Sequence, residues 1–116
     1  MNDERERHVD PERRKLYELQ AEVLKALAHP LRLAIADYLR GGEQCVCDIA
    51  EQVGAERSNV SRHLSRMLDA GVLESRKEGV QVFYSLRTPC VLNFFSCVTN
   101  VLRERLEADA EALEWL

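Results

Sequence analysis

The chain has 116 residues, of which 46% are hydrophobic and 31% are charged, and its formal net charge at pH 7 is −4. This length accommodates one compact domain and leaves little room for an enzyme cleft, and no apolar run is long enough to cross a bilayer. The charged N-terminus, MNDERERHVDPERRK, lacks the apolar segment of a signal peptide. We therefore expect a cytoplasmic protein whose four cysteines are free thiols or ligands rather than disulfides.

Charge is distributed unevenly along the chain. Residues 57–87 carry six Lys/Arg against three acids, a local excess of +3. Residues 1–56 carry eight basic against twelve acidic residues, and residues 88–116 carry two against five. The basic segment is therefore the part of the chain suited to nucleic acid, which binds such surfaces with release of counterions.

The first third of the chain predicts a short tail and two helices. Residues 1–9 are expected to be a disordered tail, and residues 10–116 a single domain. Asp10-Pro11 is a typical N-cap and first position of a helix, and one apolar stripe follows it, formed by Leu16, Leu19, Val23, Ala26 and Leu27. Pro30 opens a second helix, which ends at Gly41-Gly42. Its expected inward residues are Leu31, Ala34, Ile35, Tyr38 and Leu39.

Two short amphipathic helices, joined at Gly54, come next. The apolar face of the first consists of Val46, Ile49, Ala50 and Val53, and that of the second consists of Val60, Leu64, Met67 and Leu68. Ser58 is a favourable N-cap for the second helix, and Gly71 is a favourable stop after it. Two short helices joined by a tight glycine turn predict a helix-turn-helix, whose second helix can enter the DNA major groove.

The pattern then changes from helical to alternating. Residues 73–77 and 80–86 are predicted strands, with Glu78-Gly79 as the turn between them. One face of the second strand is expected to carry Val80, Val82, Tyr84 and Leu86. A hairpin directly after a recognition helix is typical of a wing, which can place Arg76 or Lys77 against the DNA backbone or minor groove.

A long helix closes the chain. Thr88-Pro89 is its expected cap and first position, and its apolar residues are Val91, Phe94, Phe95, Val98, Val101, Leu102 and Leu106. The first and last helices together present more apolar surface than so small a core covers, which predicts a homodimer through these helices. The acidic segment 107–116 contains Leu113, Trp115 and Leu116, which either fold back or dock on the partner.

Three stretches resemble the ArsR/SmtB family of metal- and metalloid-responsive repressors. They are LKALAHPLRLAIADYL (24–39), CVCDIA (45–50) and SNVSRHLSRMLDAGVLESRKEGVQVFYSL (58–86). The resemblance covers about residues 24–102, with the motifs A-x-x-H-P-x-R-L and V-S-x-H-L followed by a wing. It implies a mainly α winged helix-turn-helix with about five helices and a small β-hairpin. It further implies a homodimer that binds double-stranded operator DNA, without a membrane, and leaves it when an inducer binds.

By this resemblance, the recognition helix spans residues 58–69. Its outward side chains and the two wing cations are the candidates for contact with base edges and phosphates: Ser58, Asn59, Ser61, Arg62, His63, Ser65, Arg66, Arg76 and Lys77. Arg62 is the first choice among them, whereas His63 is more typical of a packing residue. His8 and His29 lack the spacing of metal ligands and are expected to be structural or solvated.

Cys45-Val46-Cys47-Asp48 matches the inducer site of the family, which implies that the two thiols bind As(III), Sb(III) or a methylated arsenical. Their α-carbons are roughly 5–7 Å apart, so the sulfurs can converge on one soft ion. Ala50 stands where the best-known arsenic pattern has a third cysteine. Either Cys90 or Cys97 therefore completes the site, within one chain or across the dimer, or the pair holds the ion in a two-coordinate form. Roughly 10.5 Å of helix axis separates these two, so they cannot share an ion within one straight helix.

Other triggers stay open at this stage. Cd(II) or Pb(II) is possible, although the N-terminal cysteines that usually complete such a site are absent. The last helix has no histidine for the zinc site of some relatives. A thiol-redox or persulfide switch needs no metal and is the main alternative. No permanently bound cofactor is expected, and no motif indicates catalysis.

Overall fold

The computed structural model describes residues 9–114, so residues 1–8 of the predicted tail, His8 among them, and Trp115 and Leu116 lie outside it. The helices in this range are α1 (Pro11–Leu27), α2 (Pro30–Tyr38), α3 (Val46–Val53), α4 (Arg57–Asp69) and α5 (Val91–Glu114). A 3₁₀ turn, Leu39–Gly41, follows α2. The strands are β1 (Gln44–Cys45), β2 (Leu73–Glu78) and β3 (Gln81–Leu86). This confirms the predicted winged helix-turn-helix.

Helices α1 and α2 begin at the two predicted prolines. The Asp10 side chain accepts a hydrogen bond from the Glu12 amide at 3.4 Å, directly before Pro11. His29 caps α2 in the same way, because its Nδ1 accepts a hydrogen bond from the Leu31 amide at 3.1 Å. His29 is therefore a structural residue.

The core lies where α2, α3 and α4 meet the end of the sheet. Its fully buried large side chains are Ile35, Ile49, Val60, Leu64, Met67 and Val72. These positions confirm the predicted inner faces of the helix-turn-helix. On α2 one prediction is wrong, since Ala34 is exposed and Ala36 is buried. The buried residues of α2 are Arg32, Ile35 and Ala36, which share one helix face. Hydropathy alone does not predict that Arg32 is buried.

The turn between α3 and α4 is tighter than predicted. Gly54 ends α3 in the left-handed region, with φ 69° and ψ 38°. Glu56 is the N-cap residue of α4, although its side chain makes no cap hydrogen bond. The predicted cap, Ser58, therefore lies inside the first turn of α4. The prediction was wrong because a turn this short leaves no room for α4 to begin later. Gly71 follows α4 with φ 83°, as the predicted stop requires.

The wing is a three-stranded antiparallel sheet in the order β1-β3-β2, rather than a two-stranded hairpin. The added strand, Gln44–Cys45, is too short to show alternation in the sequence. Glu78 pairs with Gln81, so the turn is Gly79-Val80, one residue later than predicted. The side chain of Val80 is consequently 96% exposed at the wing tip and does not share the face of Val82.

Helix α5 begins at Val91, two residues later than predicted. The segment before it forms consecutive i→i+3 turns, in which the Val91 amide donates to the Thr88 carbonyl at 3.0 Å and the Leu92 amide donates to that of Pro89 at 3.1 Å. Pro89 therefore lies in a 3₁₀-type turn that precedes the helix, rather than at the first α-helical position.

The two terminal helices expose apolar side chains. On α1 these are Leu16, Leu19, Val23 and Leu24, and on α5 they are Phe94, Val98, Val101, Leu102, Leu106 and Leu113. An apolar groove of about 870 Å³ lies between α1, α2 and α5. Within residues 9–114, no helix is both long and apolar enough to span a membrane.

Candidate nucleic-acid interface and thiol site

Helix α4 presents a polar face to solvent. Its other face is buried through Val60, Leu64 and Met67, at helical spacing. The exposed candidates are Ser58, Ser61, Arg62, Ser65 and Arg66. Asn59 is half-buried, and its Oδ1 accepts a hydrogen bond from Arg62 Nη2 at 3.2 Å. The structure thus gathers these candidates on one accessible helix surface that a groove of DNA can approach.

His63 is half-buried against the start of α2. The centroid of its ring lies 4.4 Å from that of His29, and the two planes are tilted by 44°. Burial lowers the pKa of His63, and His29, Arg32 and Arg62 lower it further by electrostatic repulsion. His63 is therefore neutral at pH 7 and occupies the position of a packing residue between α4 and α2.

A buried cation, Arg32, lies beside this histidine pair. Its side chain is 9% exposed, and its Nη1 donates to the carbonyls of Ala26 at 3.2 Å and Lys25 at 3.4 Å, at the C-terminal end of α1. Cations are favourable at that end of a helix. Burial and the charge of Arg66 lower the pKa of Arg32. In the sequence, Arg32 is marked only as the arginine of the motif A-x-x-H-P-x-R-L, which does not indicate that it is buried.

The wing cation Arg76 is already paired. Its Nε donates to the two carboxylate oxygens of Glu43 at 2.9 and 2.8 Å, its Nη2 also bonds Glu43, and its Nη1 donates to Glu78 Oε2 at 2.8 Å. Its guanidinium carbon lies 4.8 Å from the centroid of the Phe83 ring. These carboxylates raise the pKa of Arg76, and the Arg76 guanidinium holds the pKa of Glu43 below its usual value.

Sequence reasoning missed Glu43, which lies 33 residues before Arg76. Only the three-stranded sheet brings the two together. The other wing cation, Lys77, is exposed and opposite Val82, on the other face of β2 from Arg76. It forms no ion pair with any residue in the range 9–114. Lys77 is therefore the wing cation that a phosphate can reach without displacing a carboxylate.

Cys45 and Cys47 lie where β1 joins α3. Cys45 is the last residue of β1 and the N-cap residue of α3. It is 7% exposed, and its Sγ donates to Asp48 Oδ2 at 3.3 Å. Cys47 lies in the first turn of α3 and is exposed. One thiol is thus buried beside a proton acceptor, and the other is open to solvent.

The remaining cysteines, Cys90 and Cys97, are exposed, one before α5 and one on it. In the described part of one protomer, no group of three or more His, Cys, Asp or Glu could hold a metal ion. The structure therefore does not bring Cys90 or Cys97 of the same protomer together with the pair Cys45 and Cys47.

Comparison with known proteins gives one consistent result. Residues 29–75 match the model of bacterial regulatory proteins of the arsR family. This range includes both cysteines of the thiol pair and the whole of α4. The HTH-type transcriptional regulator Rv0081 of Mycobacterium tuberculosis is 34% identical over 100 residues, which cover 85% of this chain and 88% of that protein.

Two solved structures are similar over most of their length. A homodimeric winged helix-turn-helix DNA-binding domain of Mycobacterium bovis, a possible ArsR-family transcriptional regulator, aligns with a TM-score of 0.74 at 33% identity. The alignment covers 86% of this chain and 93% of that one. The antimony-specific transcriptional repressor AntR aligns with a TM-score of 0.64 at 31% identity, over 73% of this chain and 78% of that one.

Proposed function

Since this chain belongs to the ArsR family of bacterial regulatory proteins, we propose that it is a transcriptional repressor that leaves its operator when a thiophilic inducer binds Cys45 and Cys47. The family consists of transcriptional regulators rather than enzymes. Like the similar domain from Mycobacterium bovis, this chain is a homodimeric winged helix-turn-helix that binds DNA.

The position of the thiol pair carries this proposal. Cys45 belongs to β1, which pairs with the wing strand β3, and it also caps α3, which packs against α4. An inducer that draws Cys45 and Cys47 onto one ion therefore acts on the junction between the two elements proposed to contact DNA. If the inducer-bound protein and the operator-bound protein hold this junction in different positions, the inducer weakens DNA binding and DNA weakens inducer binding by the same factor.

As(III) and Sb(III) fit the chemistry of this pair best. Two thiols displace two hydroxyl groups of arsenous acid as water, leaving two arsenic–sulfur bonds, and soft thiolates select such ions. Exposed Cys47 is the thiol that arsenous acid can reach first, and Cys45 follows. Asp48, which accepts a hydrogen bond from Cys45 Sγ, is placed to pass the Cys45 proton to the hydroxyl group that leaves as water. Within residues 9–114 of one protomer no third cysteine joins the pair, so a third sulfur would have to come from Cys90 or Cys97 across the dimer; otherwise the pair holds the ion alone. The likeness to a repressor named antimony-specific favours the same class of ion.

The first test measures release from DNA. Fluorescence anisotropy would follow reduced protein on a labelled duplex from directly upstream of its own gene, during titration with arsenite, antimonite, Cd(II) or a polysulfide donor. We expect about one equivalent of arsenite or antimonite per protomer to release the wild type, but not the Cys45→Ser/Cys47→Ser variant. Single Cys90→Ser and Cys97→Ser variants show which of these thiols completes the site.

The outcomes separate the alternatives. Release of the Cys45→Ser/Cys47→Ser variant by arsenite would contradict the site. Release by Cd(II) alone would replace the metalloid with a soft divalent metal. Release by the polysulfide alone, reversed by a reductant, would make the protein a thiol-redox repressor, and the mass of the treated protein would show the added sulfur or the lost hydrogens.

A further inference from the structure

The contacts of Arg76 cross the whole three-stranded sheet. Register places Arg76 opposite Phe83, and Phe83 opposite Cys45 on the far strand. Glu43 lies two residues before Cys45, on the same side of the sheet by alternation. The carboxylate of Glu43 therefore reaches over Phe83 to the guanidinium, which stacks on that ring.

The cluster around Arg76 has a net negative charge. Arg76 contributes +1, whereas Glu43 and Glu78 contribute −1 each, so the cluster carries −1. All three side chains are exposed to solvent, so salt screens these ion pairs and a phosphate can reach the guanidinium. A DNA phosphate that approaches this face of the wing meets two carboxylates around one arginine.

We propose that Glu43 competes with DNA phosphate for Arg76 and thereby limits how tightly the wing holds DNA. Glu43 occupies Nε and Nη2 of Arg76, the edge of the guanidinium that would otherwise bind a phosphate through two parallel hydrogen bonds. This inference rests on the proposed DNA-binding surface. Because it concerns the phosphate backbone, it applies to any DNA sequence.

Four variants test the competition: Glu43→Gln, Arg76→Gln, the double variant, and Glu74→Gln as matched control. Glu74 is an exposed acid on the same side of β2 as Arg76, and within residues 9–114 it makes no hydrogen bond to that arginine. Its replacement changes the net charge equally. Affinity would be measured by fluorescence anisotropy over a series of salt concentrations, on the upstream duplex and on a random-sequence duplex.

We expect Glu43→Gln to bind both duplexes about 3- to 10-fold more tightly per protomer than the wild type at low salt, since each protomer of the dimer gains one phosphate contact. The slope of log affinity against log salt should become steeper by about 0.9 per protomer, or about 1.8 for the dimer. Glu74→Gln should change affinity less than Glu43→Gln. In the Arg76→Gln background, the gain from Glu43→Gln should disappear.

Three results would overturn the competition. Equal gains in affinity from Glu43→Gln and Glu74→Gln would mean that only the net charge matters. A gain from Glu43→Gln that persists in the Arg76→Gln background would mean that Glu43 does not act through Arg76. Weaker binding of Glu43→Gln would make Glu43 a support that positions Arg76. Failure of the wild type to prefer the upstream duplex would instead contradict the proposed repressor. Thermal melts would establish that all four variants are folded.

Discussion

His63 makes the stability of the fold depend on pH. Its pKa is lowered by burial first, and then by His29, Arg32 and Arg62, which are the charged or titratable groups facing it from α2 and α4. An unfolded chain has a histidine pKa of about 6.5 and binds the proton more readily than the folded protein. The contribution of neutral His63 to the free energy of unfolding is therefore fully present above about pH 6.5, and it is lost as pH falls through the lower pKa of the folded protein.

Replacing His63 with glutamine should make the melting temperature less sensitive to acid. We expect the melting temperature, measured by circular dichroism, to fall less between about pH 7.5 and pH 5 in His63→Gln than in the wild type. Arg62→Gln is the matched control and should flatten the profile only slightly, because burial is the largest cause of the shift. Parallel profiles for wild type and His63→Gln would contradict this role.

Single residues mark the limit of what the sequence could predict. Helical spacing predicted which face of α4 is polar, because neighbours on one helix face are also close in sequence, whereas the roles proposed for that face and for the thiol pair rest on the resemblance to the family. Arg32 and Glu43 were missed for opposite reasons. The sequence gives no sign that Arg32 is buried, because its burial depends on carbonyl groups at the end of α1 that accept its hydrogen bonds. Glu43 was missed because it contacts Arg76 only when β1 pairs with the sheet.

Among the elements, α4 has one buried face and one face that we propose contacts DNA, so substitutions on the two faces should affect stability and DNA binding separately. Leu64 is fully buried, whereas the next residue, Ser65, is exposed. We expect Leu64→Ala to lower the free energy of unfolding by about 2–5 kcal/mol. Ser65→Ala should change it by no more than about 0.5 kcal/mol and weaken DNA binding, since a hydroxyl contact is worth about 0.5–1.5 kcal/mol.

Urea unfolding and DNA anisotropy on the same two variants would measure this separation. A destabilised Ser65→Ala would mean that the exposed face of α4 also supports the fold. Unchanged DNA affinity of Ser65→Ala would remove Ser65 from the proposed interface, without affecting the other residues on that face.

The elements also show where sequence patterns fail. Long amphipathic helices and β3 were predicted because several periods of apolar residues identify them. The two-residue strand β1 has no period to detect, and it forms because β3 offers a free edge. The starts of α4 and α5 were misplaced by one or two residues, since Ser58 and Thr88 are good caps whose use depends on the geometry of the preceding turn.

The whole molecule is too extended for a protomer that stands alone. Its Cα radius of gyration is 18.9 Å, whereas a compact chain of this length has about 13 Å. The excess comes from α1 and α5, whose exposed apolar stripes border the groove between α1, α2 and α5. Packing these helices against a second copy would bury that surface and set two recognition helices on one operator.

A charge in the groove should therefore separate the protomers. Val98 lies on α5, lines the groove and is exposed in one protomer. We expect Val98→Glu to shift the molar mass from dimer toward monomer in light scattering, and to weaken operator binding at least about tenfold, because one protomer contacts a single half-site. Val80→Glu adds the same charge at the wing tip, outside the groove, and should stay dimeric. A dimeric Val98→Glu would place the dimer interface away from this groove.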